Sequence, residues 1–323
     1  MEAIKRFSKE YSVVLVLLVI VLFMGLMKPN EFLSLSNMFT ILRQVSILGI
    51  LTVGMLFAMV AGGIDLSVGS MVSFTCVLAA VFMSKMGWPP VLAIIATLLV
   101  AMLIGLAMGT VIVKSEIFPM IGTLAVMTIL GGFAYLVAGG KPVSPIPESV
   151  KFLAQGYISI VPVPVIILLI VLVVAAFVLN RTYIGRYFYL VGSNEEASRL
   201  SGIPTDKVKI LSYMICSTLA GLGGVIMMSR VSSGQPNVGL AMEMDVLTAA
   251  VIGGVSLMGG EGKIGKAFSG VLLLGVLLNA MTILNISEHW QMVVKGTVFL
   301  AAVTFAGFQH VMARRKKRVA QAA

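Results

Sequence analysis

Ten separate apolar runs, each close to the length of a bilayer-spanning helix, recur along the whole chain. The hydrocarbon core of a bilayer needs about 20 mostly apolar residues per helix. Only 11% of the 323 residues are charged, whereas a soluble globular domain carries about 25%. The pattern predicts an all-α, polytopic membrane protein whose spans lie at about 11–27, 45–62, 66–84, 91–113, 117–138, 158–179, 210–229, 242–258, 267–284 and 291–311.

The same runs predict one transmembrane domain over residues 1–323. A chain of this length could hold about two domains, but the apolar runs leave no space for a separate soluble one. The first run follows three basic residues, as a signal peptide would. It ends in Lys28-Pro29-Asn30 instead of a small-residue cleavage site. We therefore expect it to be the first spanning helix.

The distribution of basic residues predicts the orientation, because Lys and Arg stay on the cytoplasmic side. With both termini inside, the outer segments hold six basic residues and the inner segments hold 16 of the 23. The inner set is Lys5, Arg6, Lys9, Lys114, Arg181, Arg186, Arg199, Lys207, Lys209, Lys263, Lys266 and the tail Arg314-Arg315-Lys316-Lys317-Arg318. This split favours an N-in, C-in protein. It also explains the net charge of +10 without nucleic-acid binding.

Two connections between the spans are long. The outer one, 139–157, carries three prolines and is predicted to be irregular. The inner one, 180–209, contains Ser193 followed three residues later by Glu196, which is the spacing of a capping box. Gly202 suits the left-handed position after a helix, and Pro204 stops its continuation. The sequence thus predicts a helix of about two turns, from Asn194 to Ser201.

A helix this short is not stable alone in water, where about 12–15 residues are needed. Something must dock against it, either the rest of its own chain or a cytoplasmic partner. We favour a partner, because the connection holds a capped helix where a minimal loop would be enough.

A glycine pattern occurs twice. Gly62-Gly63-Ile64-Asp65-Leu66 is echoed by Gly253-Gly254-Val255-Ser256-Leu257, each near the predicted inner end of a span. Glycine-interrupted spans in matching positions indicate a transport pathway in repeat-built carriers. Close helix packing through small residues explains the glycines equally well, so both interpretations stay open.

Asp65 is an acidic residue at predicted membrane depth, which is costly and suggests a function in gating or in the passage of a polar solute. It also precedes a helix, where a carboxylate caps free N–H groups. Glu243 and Asp245 present the same two alternatives. Lys295, inside the last span, is expected to extend its amine to the outer interface.

The chain resembles the permease subunits of the ribose/xylose/galactoside class of bacterial ABC importers over almost its whole length. The residues that carry the resemblance are Ala61-Gly62-Gly63-Ile64-Asp65-Leu66-Ser67-Val68-Gly69-Ser70, the 192–204 loop, Gly253-Gly254-Val255-Ser256-Leu257 with Gly259-Gly260, and Gln291-Met292-Val293-Val294-Lys295. The loop differs from the family's usual Gly-Asn and Ala-Ala at Gly192-Ser193 and Ala197-Ser198.

This resemblance implies a permease domain in a bacterial cytoplasmic (inner) membrane whose 180–209 loop couples it to an ATP-binding subunit. The implied contact residues are Asn194, Glu195, Glu196, Ala197, Arg199, Leu200 and Gly202. It also implies a second permease subunit, identical or homologous, and a periplasmic or lipid-anchored solute-binding protein. The expected solute is a monosaccharide or a related small polar molecule. Candidate pathway or gating residues are Asp65, Ser67, Gln44, Gly62, Gly63, Gly253, Gly254, Asn279 and Gln291.

Patterns typical of enzymes and nucleotide-binding proteins do not hold up. Residues 260–265 fit a dinucleotide glycine pattern, and 260–266 nearly fit a phosphate-binding loop, but neither follows a predicted strand. The second pattern ends in Ala267, which has no hydroxyl for magnesium. We therefore expect no enzyme activity, no cofactor and no metal site, with ATP bound by a separate subunit.

Three alternatives remain. A branched-chain amino-acid permease of the same importer class is the second choice of substrate. A stand-alone secondary carrier would need intramembrane carboxylates for coupling ions, and the chain has few. An intramembrane enzyme would need a catalytic pair at membrane depth, and the sequence offers no such pair.

Overall fold

The computed structural model describes residues 12–322. Within that range its regular secondary structure is helical apart from one two-stranded antiparallel sheet. In chain order the elements are α1 (Ser12–Met27), α2 (Pro29–Phe32), α3 (Leu35–Val60), α4 (Val68–Ser84), α5 (Pro90–Lys114), α6 (Pro119–Ala138), α7 (Glu148–Gln155), β1 (Tyr157–Ile158), β2 (Val161–Pro162), α8 (Val163–Arg181), α9 (Tyr183–Ser193), α10 (Glu195–Leu200), α11 (Thr205–Val231), α12 (Met242–Ile252), α13 (Ile264–Ile283) and α14 (Glu288–Ala322).

Each predicted span overlaps one of these helices. Six helices between residues 12 and 322 are long and apolar enough to cross a bilayer: α3, α5, α6, α8, α11 and α13. The apolar part of α1 and the whole of α4 are shorter. The all-α polytopic class is thereby confirmed, while ten spans and the N-in, C-in orientation stay predictions. Tyr11 and the three basic residues before it lie outside the described residues.

Helix α3 is the centre of the molecule. Every residue from Val45 to Val60 is buried, and 78% of its apolar window lies inside the protein, against 17% for α6. It packs against α8, α11, α12 and α13, while α11 also packs on α4 and α5. Helices α5, α6 and α8 therefore form an apolar outer layer suited to lipid.

Helix α3 begins at Leu35, earlier than the predicted start of that span at residue 45. Its first turns are polar, so hydropathy alone missed them. The Ser34 hydroxyl accepts a hydrogen bond from the Asn37 N–H at 3.2 Å, which caps the helix at this point.

Helix α12 is a half-span. The predicted span 242–258 forms only 11 helical residues, ending at Ile252. At 1.5 Å per residue these reach about 16 Å, roughly half of a bilayer core. The non-helical approach to α12 is held by protein: Gly239 N–H donates to Ser73 Oγ at 2.9 Å, and Gly234 bridges Val143. Irregular backbone at membrane depth requires such an enclosure.

Lys295 Nζ lies 2.9 Å from Asp245 Oδ2, and this ion pair ties α14 to α12. One further expectation needs correction. The 139–157 connection is only partly irregular, since it contains α7, whose Ala154 N–H donates to buried Ser229 Oγ at 2.9 Å. That contact fastens the connection to α11.

Candidate functional site

The 180–209 connection is almost entirely helical. Helix α9 begins at a Thr182 cap, whose hydroxyl accepts from Gly185 N–H at 3.1 Å. Its Tyr189 hydroxyl donates to the Gly262 carbonyl at 2.8 Å. Burial raises the pKa of Tyr189, so the hydroxyl stays protonated and able to donate. Helix α9 is therefore fixed to the turn before α13.

The predicted two-turn helix forms as α10. The prediction that Ser193 caps it is wrong, because Asn194 is the N-cap and its Oδ1 accepts from Ala197 N–H at 2.9 Å. Ser193 instead closes α9. Gly202 adopts φ +80°, as expected. With Ile203 it completes a Schellman ending through N–H bonds to Arg199 and Ser198.

Helix α10 has one face bound to its own chain. Ser198 is buried, and its hydroxyl donates to the Asn194 carbonyl at 2.8 Å. Glu195 pairs with Lys209 of α11 and with Arg199. Glu195 and Arg199, two of the predicted contact residues, therefore form ion pairs within the chain.

The opposite face of α10 is open. Glu196, Ala197 and Leu200 are exposed, and their spacing places them on one side of the helix. The Leu200 side chain is 85% exposed. An isolated apolar residue on a surface is ordinary, but here it stands at the tip of a short, anchored and capped helix.

Ion pairs that the sequence did not predict join α5 and α10 to the start of α11. Lys114 Nζ lies 2.7 Å from Asp206 Oδ2, and Arg199 lies 3.8 Å from the same carboxylate. From the sequence, Lys114 indicated only the orientation, and Arg199 the orientation and a contact with the ATP-binding subunit. The sequence offered one indication of these pairs: the 180–209 connection contains acidic and basic residues close together, among them Arg199, Asp206 and Lys209.

Four glycines bring three segments into backbone contact. We call Gly62, Gly192, Gly259 and Gly260 the glycine junction. Gly260 N–H donates to the Val60 carbonyl at 3.0 Å. A Cβ on Gly192 would overlap that carbonyl, and one on Gly259 would lie 2.8 Å from Gly62 Cα. The end of α9, the end of α3 and the turn after α12 therefore meet with no space for a side chain.

The two glycine motifs end their helices in the same way, but the equivalence is offset by one residue. Gly62 and Gly254 have φ +85° and +78°, and each is the left-handed residue that ends a helix. In both turns the next residue, Gly63 or Val255, donates its N–H five residues back. Gly62 thus corresponds to Gly254 rather than to Gly253. Gly253 instead packs on α13, where a Cβ would lie 2.5 Å from the Lys266 carbonyl oxygen.

A cavity of about 1200 Å³ lies beside α10. Its wall includes Gly62 and Gly63, the turn between α5 and α6, and the first turns of α11 down to Tyr213. Glu196, Arg199 and Leu200 also line it. The cavity therefore runs from the open face of α10 to the glycine turn before α4.

Asp65 is fully buried beyond that turn. Its Oδ1 accepts from the Ser67 N–H at 2.9 Å and from the Ser67 hydroxyl at 2.5 Å. Helix α4 begins one residue later, at Val68. Asp65 Oδ2 has no hydrogen-bond partner within the described chain. The carboxylate thus orders the entry to α4 and keeps one oxygen uncommitted.

The other pathway candidates are scattered. Asn279 and Asn37 exchange side-chain hydrogen bonds at 2.7 and 3.1 Å, so Asn279 joins α13 to α3. Gln291 donates to the Ile286 carbonyl at 2.9 Å. Gln44 is half-buried in α3. None of Gln44, Asn279 and Gln291 lines the cavity beside α10.

Among residues 12–322 no group of three or more His, Cys, Asp or Glu side chains is placed to hold a metal ion. The glycine-rich 260–265 segment lies between α12 and α13 and adjoins no described strand. It is used for backbone contact, as the glycine junction shows.

Comparison with known proteins agrees with this architecture. A family profile described as branched-chain amino acid transport system / permease component matches residues 37–303. The ribose import permease protein RbsC of Haemophilus influenzae is 38% identical and covers 93% of this chain and 94% of the relative. The L-arabinose transport system permease protein AraH of Escherichia coli is 37% identical, covering 93% and 91%.

A more distant relative, the xylose transport system permease protein XylH of Escherichia coli, is 30% identical over 91% of this chain and 90% of the relative. No solved structure matches the chain. The resemblance carried by the Gly-Ile-Asp-Leu-Ser run and the 192–204 loop is confirmed. The chain therefore belongs to this family of transport-system permease components, and it is a multi-pass membrane transport protein rather than an enzyme.

Proposed function

We propose that the chain is the membrane-spanning permease subunit of an ATP-driven ABC importer for a monosaccharide or related small polar solute. The support is the agreement of its relatives, whose names assign them ribose, L-arabinose and xylose. The apolar outer layer and the half-span α12 suit a transport pathway enclosed by protein. ATP is bound by a separate subunit.

The exposed face of α10 carries this proposal. Glu196, Ala197 and Leu200 contact a groove on the ATP-binding subunit, with Asn194 and Gly202 closing the two ends of the helix. Glu195 and Arg199 fix α10 to α11 through ion pairs. A displacement of α10 therefore also displaces α11. It displaces α9 as well, because only one residue lies between the end of α9 and the start of α10.

The glycine junction passes this motion inward. Movement of α9 displaces Gly192, which touches the Gly62 turn before α4 and the Gly259-Gly260 turn after α12. Gating and the pathway then involve Gly62, Gly63 and Asp65 at one turn and Gly253 and Gly254 at the other. Such rigid-body shifts exchange the side that a transport cavity faces. Ser67, Gln44, Asn279 and Gln291 remain pathway candidates of the same proposal.

The complete transporter has two permease subunits, identical or homologous, in the bacterial inner membrane. Each has ten spans with both termini inside. The ATP-binding subunits sit below α10, and a periplasmic or lipid-anchored solute-binding protein delivers the solute from the other side.

Reconstitution tests the energy source. Proteoliposomes holding this chain, its ATP-binding subunit and its solute-binding protein are expected to accumulate radiolabelled ribose only with ATP on the α10 side. Vesicles holding this chain alone are expected to accumulate none. Accumulation by the chain alone, against the solute gradient, would mean a stand-alone secondary carrier and would overturn the proposal.

A branched-chain amino-acid permease is the second candidate, favoured by the description of the family profile. The same vesicles distinguish the two when unlabelled ribose, arabinose, xylose and leucine compete for uptake. Competition by a monosaccharide and not by leucine is expected. The reverse result would assign the second substrate class.

A further inference from the structure

A second cavity, of about 1010 Å³, opens between α1, α8 and α13, away from α10. One part of its wall is apolar, formed by Val14, Leu172, Val173, Ala176 and Phe268. Val173 is 68% exposed, and it lies on the face of α8 that the outer layer presents to lipid. The apolar wall is therefore continuous with the surface that acyl chains cover.

The other end of this cavity is polar and basic. Lys263 and Lys266 line it, beside Tyr189, and both lysines are exposed. Neither lysine forms an ion pair with a residue in the described range, and the described residues contribute no carboxylate to the lining. The first turn of α13 adds backbone N–H groups that no side chain caps.

The two ends of the cavity are arranged as the two ends of a lipid. Helix α8 finishes at Arg181 and α13 starts at Ile264, so the basic end lies where spanning helices leave the hydrocarbon. The apolar wall extends from there along α8. Basic pockets between spanning helices at the cytoplasmic side bind anionic headgroups.

We propose that this cavity binds one anionic phospholipid. Its phosphate group contacts Lys263, Lys266 and the first turn of α13, and an acyl chain lies along Leu172 and Val173. A second copy of this chain fits less well, since a two-fold contact would bring the same basic patch against itself. The cytoplasmic leaflet follows from the N-in, C-in orientation proposed above, whereas binding itself does not depend on transport.

A lipid in this cavity would stabilise the contact between α9 and the turn before α13, which lies next to the glycine junction. Tyr189 lines the cavity and donates to the Gly262 carbonyl, next to Gly259 and Gly260. A bound headgroup thus lies against the contact between α9 and the turn before α13, and no residue of α10 lines this cavity.

Native mass spectrometry of the purified full chain tests this. At equal concentrations, phosphatidylglycerol is expected to be retained at least about five-fold more than phosphatidylcholine, since one lysine near an anionic surface contributes about that factor. The double variant Lys263→Gln/Lys266→Gln should retain both lipids equally. The double variant Arg186→Gln/Lys207→Gln removes the same charge from exposed positions outside this cavity and should bind as the wild type does.

Two further measurements complete the test. Inorganic phosphate at the same concentration should not displace phosphatidylglycerol, because it lacks the acyl chain. The Lys263→Gln/Lys266→Gln variant should keep the oligomeric mass of the wild type. Equal retention of the two lipids by the wild type, an equal loss in the control variant, displacement by phosphate, or a changed oligomer would each overturn the proposal.

Discussion

At the scale of single residues, Gly192 is the glycine of the described chain with the least space for a side chain. A Cβ there would overlap the Val60 carbonyl oxygen, which also accepts from Gly260 N–H. The obstruction is backbone on both sides, so no side-chain rotation relieves it. The sequence placed Gly192 in the resembling loop without indicating which residues it touches.

We expect Gly192→Ala to force α9 away from the Gly62 turn. The chain should still insert in the membrane, with a free energy of unfolding lower by about 1–3 kcal/mol, as for overpacked sites, and with transport lost. Unfolding in detergent and vesicle uptake measure the two effects. Gly132→Ala is the control, because a Cβ at Gly132 meets nothing within 4 Å; uptake retained in Gly192→Ala would contradict a role of the junction.

Asp65 gives a second prediction at this scale. Asp65 Oδ1 accepts hydrogen bonds from the N–H and the hydroxyl of Ser67, and the Cys216 thiol lies beside the carboxylate. We therefore expect ordering of the α4 entry to be its main contribution. Asp65→Asn keeps the accepting oxygen and should retain transport. Asp65→Ala leaves the buried Ser67 N–H unpaired, which should lower the free energy of unfolding by about 1–3 kcal/mol.

Thermal unfolding and uptake of both Asp65 variants are compared. Should Asp65→Asn be as stable as the wild type but inactive, the carboxylate itself would act in gating. Ser217→Ala serves as the control, since the buried Ser217 hydroxyl has no described partner and its loss should cost nothing.

At the scale of elements, α10 is a short helix anchored on one face and open on the other. We expect Leu200→Glu to weaken binding of the ATP-binding subunit by about ten-fold or more, because a buried apolar anchor at an interface contributes roughly 1–3 kcal/mol. Leu240→Glu is the matched control: Leu240 is 78% exposed and lies in the segment before α12.

A pull-down titration with the ATP-binding subunit measures the binding of both variants. Equal binding by Leu200→Glu and the wild type would disprove the α10 contact.

The helices also show which structural features can be predicted from the sequence and which cannot. Apolar run length found the six helices that are long and apolar enough to cross a bilayer. The Ser193–Glu196 spacing, with Gly202 and Pro204, predicted α10, although Asn194 rather than Ser193 caps it. Hydropathy missed the polar first turns of α3 and overextended α12. Helix α12 ends before Gly253-Gly254, and whether a helix continues past such a glycine pair depends on tertiary contacts, which local hydropathy does not report. The Asp245–Lys295 pair and the Asn37–Asn279 pair join residues far apart in the chain, and no local pattern indicates them.

At the scale of the whole molecule, the orientation can be tested directly. Both native cysteines, Cys76 and Cys216, are buried, so background labelling should be low. A membrane-impermeant maleimide applied to intact cells with a permeabilised outer membrane is expected to label Lys141→Cys, in the outer 139–157 connection, and not Leu200→Cys. Inverted vesicles should give the opposite result. Labelling of both positions from one side would refute the ten-span arrangement.

The glycine junction also has a consequence for how such a protein can diversify. The contact is made by main-chain atoms, so it does not depend on the identity of any side chain. Residues that contact the solute can therefore change in evolution without altering the contact that transmits the motion. The same transmission can serve transporters of different solutes, provided that the few glycines of the junction are never substituted.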